Sequence, residues 1–140
     1  MSEFFKPSDL LAAVTDGKTP PNCDITLQMK PIYAENGVSR GVWQVDKQFL
    51  NGVGVAMGGY LAAAADTMMA YAISSKLTDE YSFVSIDLHT TFHRPVLLGQ
   101  VEIEARVERL GRQIAYLVAD VFQDKRKAAS VVSSMMIIKR

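Results

Sequence analysis

Two glycines at the start of a long apolar stretch are the first candidates for chemistry in this chain. The segment from Asn51 to Gly59 is rich in glycine and leads directly into that stretch. Glycine lets another group approach the backbone closely, and the first N–H groups of a helix have no internal partner and lie at its positive end. The amides of Gly58 and Gly59 are therefore candidates to polarise a carbonyl oxygen as negative charge develops on it. The alternative is that both glycines merely allow tight packing of a helix against a sheet.

A single carboxylate inside the same stretch is the second candidate. On a helix, Asp66 has Ala62, Ala63, Met69 and Ala70 as its neighbours three and four residues away. A carboxylate among apolar contacts is costly unless it is paired, hydrogen-bonded or functional, and perturbed acids cluster in functional sites. We therefore favour a catalytic carboxylate. Two alternatives remain: Asp66 caps a second helix after a break, or a structural partner satisfies it.

The spacing of these groups bears on the assembly. Asp66 lies eight residues beyond Gly58, which is about 12 Å along a helix axis. A general base must come within about 3 Å of the group it deprotonates, or act through one water. One chain cannot place both groups on one small reacting centre, whereas two copies with antiparallel helices can. We therefore expect at least a dimer with two equivalent sites between its subunits.

Composition limits the class of protein. The chain has 140 residues, of which 49% are hydrophobic, and it carries equal numbers of acidic and basic residues. This predicts a single domain over residues 1–140, with no charge excess that favours nucleic acid or an anionic membrane. The single cysteine, Cys23, excludes an internal disulfide framework and a multi-cysteine metal site, and we expect it to be buried. The start of the chain has no signal-peptide pattern, and Asp66 interrupts the one membrane-like segment, so we expect a cytoplasmic protein.

The hydrophobic periodicity predicts two helices and six strands. A short N-terminal helix has Ser8 or Asp9 as its N-cap, and Asn36-Gly37 is typical of a hairpin turn. The predicted helices are residues 7–14 and 56–76, and the predicted strands are residues 25–33, 38–45, 84–93, 101–108, 114–122 and 130–138. The last four strands are expected to form a meander. The fold class is therefore α+β, with a curved antiparallel sheet of about six strands wrapped around the long helix.

These residues, in this order, resemble a known family. Asn51, Gly54 and Met57-Gly58-Gly59, followed by Asp66, are similar to the motif at the helix start of the hotdog-fold acyl-CoA thioesterases. This is the 4-hydroxybenzoyl-CoA thioesterase superfamily, and its PaaI-like group is the most similar branch. Three later segments also lie where that family has similar features: Ser85-Ile86-Asp87-Leu88, Phe92-His93-Arg94-Pro95 and Gly111-Arg112. The resemblance covers residues 38–140.

The resemblance implies a role for each matching residue. Asp66 would be the nucleophile that attacks the thioester carbonyl, or the base that activates water to attack it. The Gly58 amide of the neighbouring subunit would polarise the carbonyl oxygen, with Gly59 beside it. Asn51 would hold the thioester or the water, and Ser85 would help to position that water. The family has a hotdog fold, forms dimers that often pair into tetramers, and needs no metal or organic cofactor.

Two positions depart from the family pattern or from the expected strand geometry. Met57 stands where the family usually has His, and methionine can neither donate a hydrogen bond nor carry a charge. Strict alternation places Ser85 on a polar strand face with Asp87 and His89, away from Val84, unless a β-bulge re-aims it. A solvated or interface hydroxyl is the alternative to its functional role.

The remaining substrate contacts follow from side-chain chemistry. Arg94 and Arg112 are candidates for the phosphates of coenzyme A, because guanidinium groups suit phosphate. Met57, with two methionines of the long helix, could shape an adaptable acyl pocket, although core filling is the alternative for these methionines. His89 and His93 lie about 13 Å apart along a strand, which is too far for one metal ion, so no metal site is expected.

Four functions compete. Hydrolysis of an acyl-CoA thioester to a carboxylic acid and coenzyme A is the leading prediction. Met57 favours the second, a non-catalytic acyl-CoA or acyl-lipid binding protein of the same fold. A hydratase or dehydratase ranks behind both, because neither histidine lies on the long helix. A DNA-binding regulator would need an added basic domain, for which no residues remain.

Overall fold

Three helices and one antiparallel sheet make up most of the computed structural model, which describes residues 4–140. The helices are α1 (Pro7–Thr15), α2 (Asn22–Leu27) and α3 (Gly58–Ser74), and a 3-10 turn covers Lys47–Phe49. The strands are β1 (Met29–Glu35), β2 (Val38–Val45), β3 (Tyr81–Ser85), β4 (His89–Phe92), β5 (Gly99–Leu110), β6 (Ile114–Gln123) and β7 (Arg126–Lys139). Within residues 4–140, no helix is long and apolar enough to cross a membrane.

The sheet has six positions for its seven strand segments. Its order is β1-β2-β5-β6-β7-β3, and β4 also pairs with β7, so that β3 and β4 share one edge. All pairings are antiparallel. The predicted fold class, a curved sheet of about six strands around a long helix with a short N-terminal helix, is confirmed. The predicted hairpin turn between β1 and β2 is also confirmed, since Asn36 and Gly37 have positive φ values of 52° and 80°.

The expected four-strand meander is wrong in one respect. β5, β6 and β7 are sequential neighbours, but the segment that follows α3 pairs with β7 rather than with β5. β3 and β4 run back along α3, so that Ser85 lies near the middle of the helix and Phe92 lies at its start. Alternation of side chains identifies a strand and its two faces, but it does not determine which strand lies next to it.

α3 lies close against the sheet because small residues meet at the contact. Ala64, Ala65 and Ala72 are fully buried on the helix. On β2, a Cβ atom added to Gly41 would lie only 2.5 Å from the sulfur of Met68, so glycine is what admits the helix at this point. Met68 is fully buried, which supports the core-filling interpretation of this methionine.

The cap of α1 lies two or three residues earlier than predicted. Lys6 is the N-cap, and its N–H donates to Asp9 Oδ2 over 2.9 Å. Proline suits the first helical position because its missing N–H is not needed there, so Pro7 rather than Ser8 begins the helix. Ser8 instead donates its N–H and its hydroxyl to the carboxylate of Asp79.

The first part of the strand predicted at residues 25–33 is helical. α2 ends at Gln28, whose φ of 64° turns the chain into β1. A tertiary contact holds this short helix, since the Tyr71 hydroxyl on α3 donates to buried Asp24 over 2.5 Å. Because Asp24 and Leu27 face inward, Cys23 is exposed and the prediction of its burial is wrong.

Candidate active site

Hydrogen bonds from backbone N–H groups, to the Asn51 side chain and to a backbone carbonyl, fix the loop that leads into α3. The Asn51 side-chain oxygen accepts the N–H groups of Val53 and Val55, over 3.0 and 3.2 Å. The Met57 N–H donates to the carbonyl of Phe49 over 2.9 Å. Asn51 therefore organises the loop with its oxygen, and its amide NH₂ is the part that remains for a ligand.

The first turn of α3 carries both candidate glycines. Met57 is the N-cap and makes no side-chain capping hydrogen bond, so Gly58 and Gly59 are the first two helical residues. The first amides of a helix have no partner within it. The structure thus places both predicted amides at the positive end of the long helix.

Gly58 is also required for packing, because a phenyl ring lies directly against it. A Cβ atom at Gly58 would lie 2.7 Å from Cζ of Phe92 and within 3.3 Å of two other ring atoms. At Gly59 the nearest such atom is the terminal methyl of Met57, at 3.4 Å. The packing interpretation of the glycines is therefore correct for Gly58, and it leaves the amide role of Gly58 intact.

Asp66 lies in the middle of an unbroken helix. α3 runs from Gly58 to Ser74 without interruption, so the alternative in which Asp66 caps a second helix is wrong. Its carboxylate is half-buried, and burial raises its pKa above the ordinary value of 3.8. The Ser85 hydroxyl, at 3.5 Å from Oδ1, acts in the opposite direction and lowers this pKa. The bond is at the long limit, so Asp66 is only weakly satisfied by a structural partner.

Ser85 lies on the strand face opposite Val84, as strict alternation predicts, and its hydroxyl is within 3.5 Å of Asp66 on α3 although the residue is exposed. It pairs across the sheet with Met135, which is fully buried, whereas its neighbours Val84 and Ile86 are 48% and 53% exposed. Val84 and Ile86 thus lie on the exposed side of this segment, whereas Phe83, on the same side as Ser85, packs against the core. No sequence signal identified this, because apolar side chains normally mark the buried face.

A cleft of about 430 Å³ opens at the start of α3. It brings together three predicted site residues, Asn51, Gly58 and Arg94, and adds Phe92, which sequence reasoning did not select. The side chain of Met57 beside it is 47% exposed, so this methionine is not part of the core.

Five predicted residues do not line that cleft: Met57 and Gly59 lie beside it at the start of α3, and the other three lie further away. Asp66 and Ser85 lie further along α3 and β3, consistent with the helical spacing. Arg112 lines a separate groove of about 610 Å³ at the β5–β6 turn, with Arg109 and Tyr116. One chain therefore does not bring all the predicted residues together.

Neither histidine lies in a metal-binding arrangement. His93 Nε2 is 2.9 Å from the hydroxyl of Ser130. Over residues 4–140, no group of three or more His, Cys, Asp or Glu side chains is arranged to hold a metal ion.

The contact between Gly58 and Phe92 predicts strong coupling between the two positions. Gly58→Ala should cost about 1–3 kcal/mol of unfolding free energy, because the new methyl overlaps the ring. In a Phe92→Ala background the same change should cost less than about 0.5 kcal/mol, as alanine favours helix. Urea denaturation of the four proteins measures the coupling, and Gly59→Ala, which meets only a flexible methyl, is the matched control for stability. An equal cost of Gly58→Ala in both backgrounds would contradict the contact.

Comparison with known proteins supports the architecture. A Ralstonia eutropha JMP134 structure, described as a candidate thioesterase and phenylacetic acid degradation-related protein, superposes with a TM-score of 0.85 at 27% identity, covering 91% of this chain and 98% of that one. The Escherichia coli PaaI protein, from the phenylacetic acid degradation operon, gives a TM-score of 0.81 at 24% identity, covering 94% and 93%. These likenesses confirm the predicted hotdog fold.

Sequence comparison identifies the family. A Pseudomonas aeruginosa protein named as a candidate esterase, PA0474, is 28% identical over 88 residues, which span 62% of this chain and 66% of that protein, slightly under two thirds of its length. The family model described as the thioesterase superfamily matches residues 53–130, a segment that contains Gly58, Asp66, Ser85 and Arg94. As this match covers more than half of the chain, the protein belongs to the thioesterase superfamily.

Proposed function

We propose that this protein hydrolyses acyl-CoA thioesters to a carboxylic acid and coenzyme A, at sites shared between two copies of the chain. The observation that carries the proposal is Asp66, a half-buried carboxylate with a raised pKa and one long hydrogen bond, on the same helix whose first turn presents the Gly58 amide to a cleft. Membership of the thioesterase superfamily supports thioester hydrolysis as the reaction class.

In the proposed reaction, the Gly58 amide binds the thioester carbonyl oxygen and stabilises the charge that develops there. Asp66 of the partner subunit either attacks the carbonyl carbon or takes a proton from an attacking water. With Asp66 as the nucleophile, a mixed anhydride forms as the carbon–sulfur bond breaks, and a water molecule then hydrolyses it and restores the carboxylate. With water as the nucleophile, a carbon–oxygen bond forms and the carbon–sulfur bond breaks. The proton taken by Asp66 then passes to the leaving thiolate, which gives coenzyme A. The Ser85 hydroxyl holds the carboxylate or the water in place.

The sheet edges support the proposed way in which two copies meet. The β1 edge contains Pro31, which has no N–H to donate, and its register shifts between Pro31 and Tyr33; both features protect an edge strand from pairing. The opposite edge, formed by β3, β4 and the link between them, exposes Val84 and Ile86. We place the second copy at this edge, where the α3 helices can lie antiparallel.

Substrate contacts complete the proposal. Met57 and Gly59 flank the polarising amide, and Arg94 lies on the cleft where it can meet a phosphate of coenzyme A. Arg112 contributes only if the groove at the β5–β6 turn faces the cleft of the partner subunit. Because methionine donates no hydrogen bond, the polarising donors here are backbone amides. The proposed chemistry uses no metal and no organic cofactor.

A second candidate function, acyl-CoA binding without turnover, is favoured by Met57 alone. Saturable binding of an acyl-CoA with no thiol release above background would distinguish it from hydrolysis. The half-buried carboxylate argues against it, because a protein that only binds gains nothing from the cost of Asp66.

Asp66→Asn should lower kcat by about 10³-fold, within the range of acid–base catalysis, because the amide can neither attack nor accept a proton. Release of coenzyme A thiol from short-chain, medium-chain and aryl acyl-CoAs measures this. Asp120→Asn is the control, since Asp120 pairs with Arg106 and Lys127 on the outer face of the sheet. Unchanged turnover by Asp66→Asn on every substrate would exclude Asp66 from the mechanism.

Ser85→Ala should move the acid limb of the pH profile of kcat/KM to higher pH. Asp66 must be deprotonated to act, so activity rises with pH through the pKa of Asp66. That pKa is already raised by burial, and removing the Ser85 hydrogen bond that lowers it raises it further. The fall in kcat should be about tenfold, smaller than that for Asp66→Asn. Ser82→Ala, on the same strand, should leave the limb in place; a limb that stays fixed in Ser85→Ala would argue against the contact.

Activity should depend on assembly. If each site combines Gly58 of one protomer with Asp66 of its partner, specific activity must fall as the protein is diluted below the dissociation constant of the dimer. Light scattering and thiol release over the same concentration series measure both quantities. A monomer that is fully active at nanomolar concentration would overturn the shared site.

A further inference from the structure

We propose that Phe92 forms the wall of the acyl pocket beside the Gly58 amide and selects substrates by the shape of the acyl group next to the thioester carbonyl. This inference rests on the proposed function and extends it to specificity. It concerns a residue at the end of the edge strand β4, outside the set that sequence reasoning selected.

Packing against Gly58 fixes the position of the Phe92 ring on one side. Cζ of Phe92 lies 2.7 Å from the point where a Cβ of Gly58 would be, so the edge of the ring touches the backbone of the first helical residue. Gly58 does not have a positive φ, which means that its backbone conformation is open to any residue. The ring, rather than the backbone, is therefore what requires glycine at this position.

The other side of the ring is open. Phe92 is 53% exposed, although an aromatic side chain of this size is a strong source of binding energy when it is covered. It faces the same cleft of about 430 Å³ as Gly58 and Leu61, whereas Asn51, His93 and Arg94 supply the polar side chains of that cleft. An apolar wall with a few polar groups is the usual composition of a small-molecule site.

The contact of the ring with Gly58 relates it to the reacting atoms. A carbonyl oxygen that binds the Gly58 amide lies about 3 Å from that nitrogen. The ring touches the α-carbon of the same residue, so the first carbons of the acyl group must pass along the ring. A straight or flat acyl group can lie against it, whereas a group branched next to the carbonyl meets it edge-on.

The test compares Phe92→Ala with the parent protein, both as native oligomers, on acetyl-CoA, hexanoyl-CoA, benzoyl-CoA and the branched pivaloyl-CoA. For hexanoyl-CoA and benzoyl-CoA, KM should rise about tenfold with kcat changed less than about threefold, because apolar contact is lost from the bound acyl group. Acetyl-CoA, whose single methyl offers little apolar area to the ring and no branch to meet it, should change by less than about twofold. The ratio of kcat/KM for pivaloyl-CoA to that for hexanoyl-CoA should rise. Phe4→Ala, the same substitution at a residue that is 61% exposed and outside the cleft lining, should show none of these changes.

A second measurement keeps this inference separate from the proposed hydrolysis. Calorimetric titration of the same four thioesters into Asp66→Asn and Asp66→Asn/Phe92→Ala proteins gives dissociation constants without turnover. The chain-dependent loss of affinity should appear there too, even if the parent protein releases no thiol, an outcome that would overturn hydrolysis alone. Equal weakening for all four thioesters would overturn the role of Phe92. So would dissociation of the dimer by Phe92→Ala or Phe92→Leu with a uniform loss of activity, because the ring would then serve the contact between subunits.

Discussion

The close approach of α3 to the sheet is the constraint on which the rest of the structure depends. Three alanines of the helix are fully buried, and Gly41 admits the helix where any Cβ would collide with Met68. Because α3 lies so close to the sheet, the strands cover most of the surface of the helix. A carboxylate in its middle therefore cannot reach bulk water fully, and the half-burial of Asp66 is a direct consequence of the packing.

That half-burial has a cost and a chemical use. An unpaired carboxylate removed from water destabilises the fold, and the Ser85 hydroxyl at 3.5 Å offsets little of this. The same burial raises the pKa of Asp66, and a carboxylate with a raised pKa is a stronger base once it is ionised. The weak satisfaction of Asp66 thus fits the catalytic role proposed for it better than a structural role, because a structural carboxylate would be expected to have better partners.

The sequence was sufficient for the long helix, for most strands of the sheet, and for the positions of Gly58 at the start of that helix and Asp66 in its middle, because each depends on local periodicity or spacing. It was insufficient where distant contacts decide the outcome. α2 forms because Asp24 meets Tyr71, which lies 47 residues away. Ser85 comes within 3.5 Å of Asp66 because β3 lies beside β7 and runs along α3, while Val84 and Ile86 of the same segment are exposed in the single chain. Periodicity records the alternation of two faces, but the neighbouring strand decides which face is buried.

Met57 acquires a physical meaning from its position as the N-cap of α3. Residues preferred at this position, such as Ser, Thr or Asp, accept hydrogen bonds from the second or third amide of the helix. Methionine has only a weak acceptor, and no side-chain cap is formed. The helix forgoes the stabilisation that a cap provides, and its first-turn amides stay available to a ligand. A methionine at this position therefore leaves the backbone donors of the first turn unoccupied, and these are the donors that the proposed polarisation of a carbonyl requires.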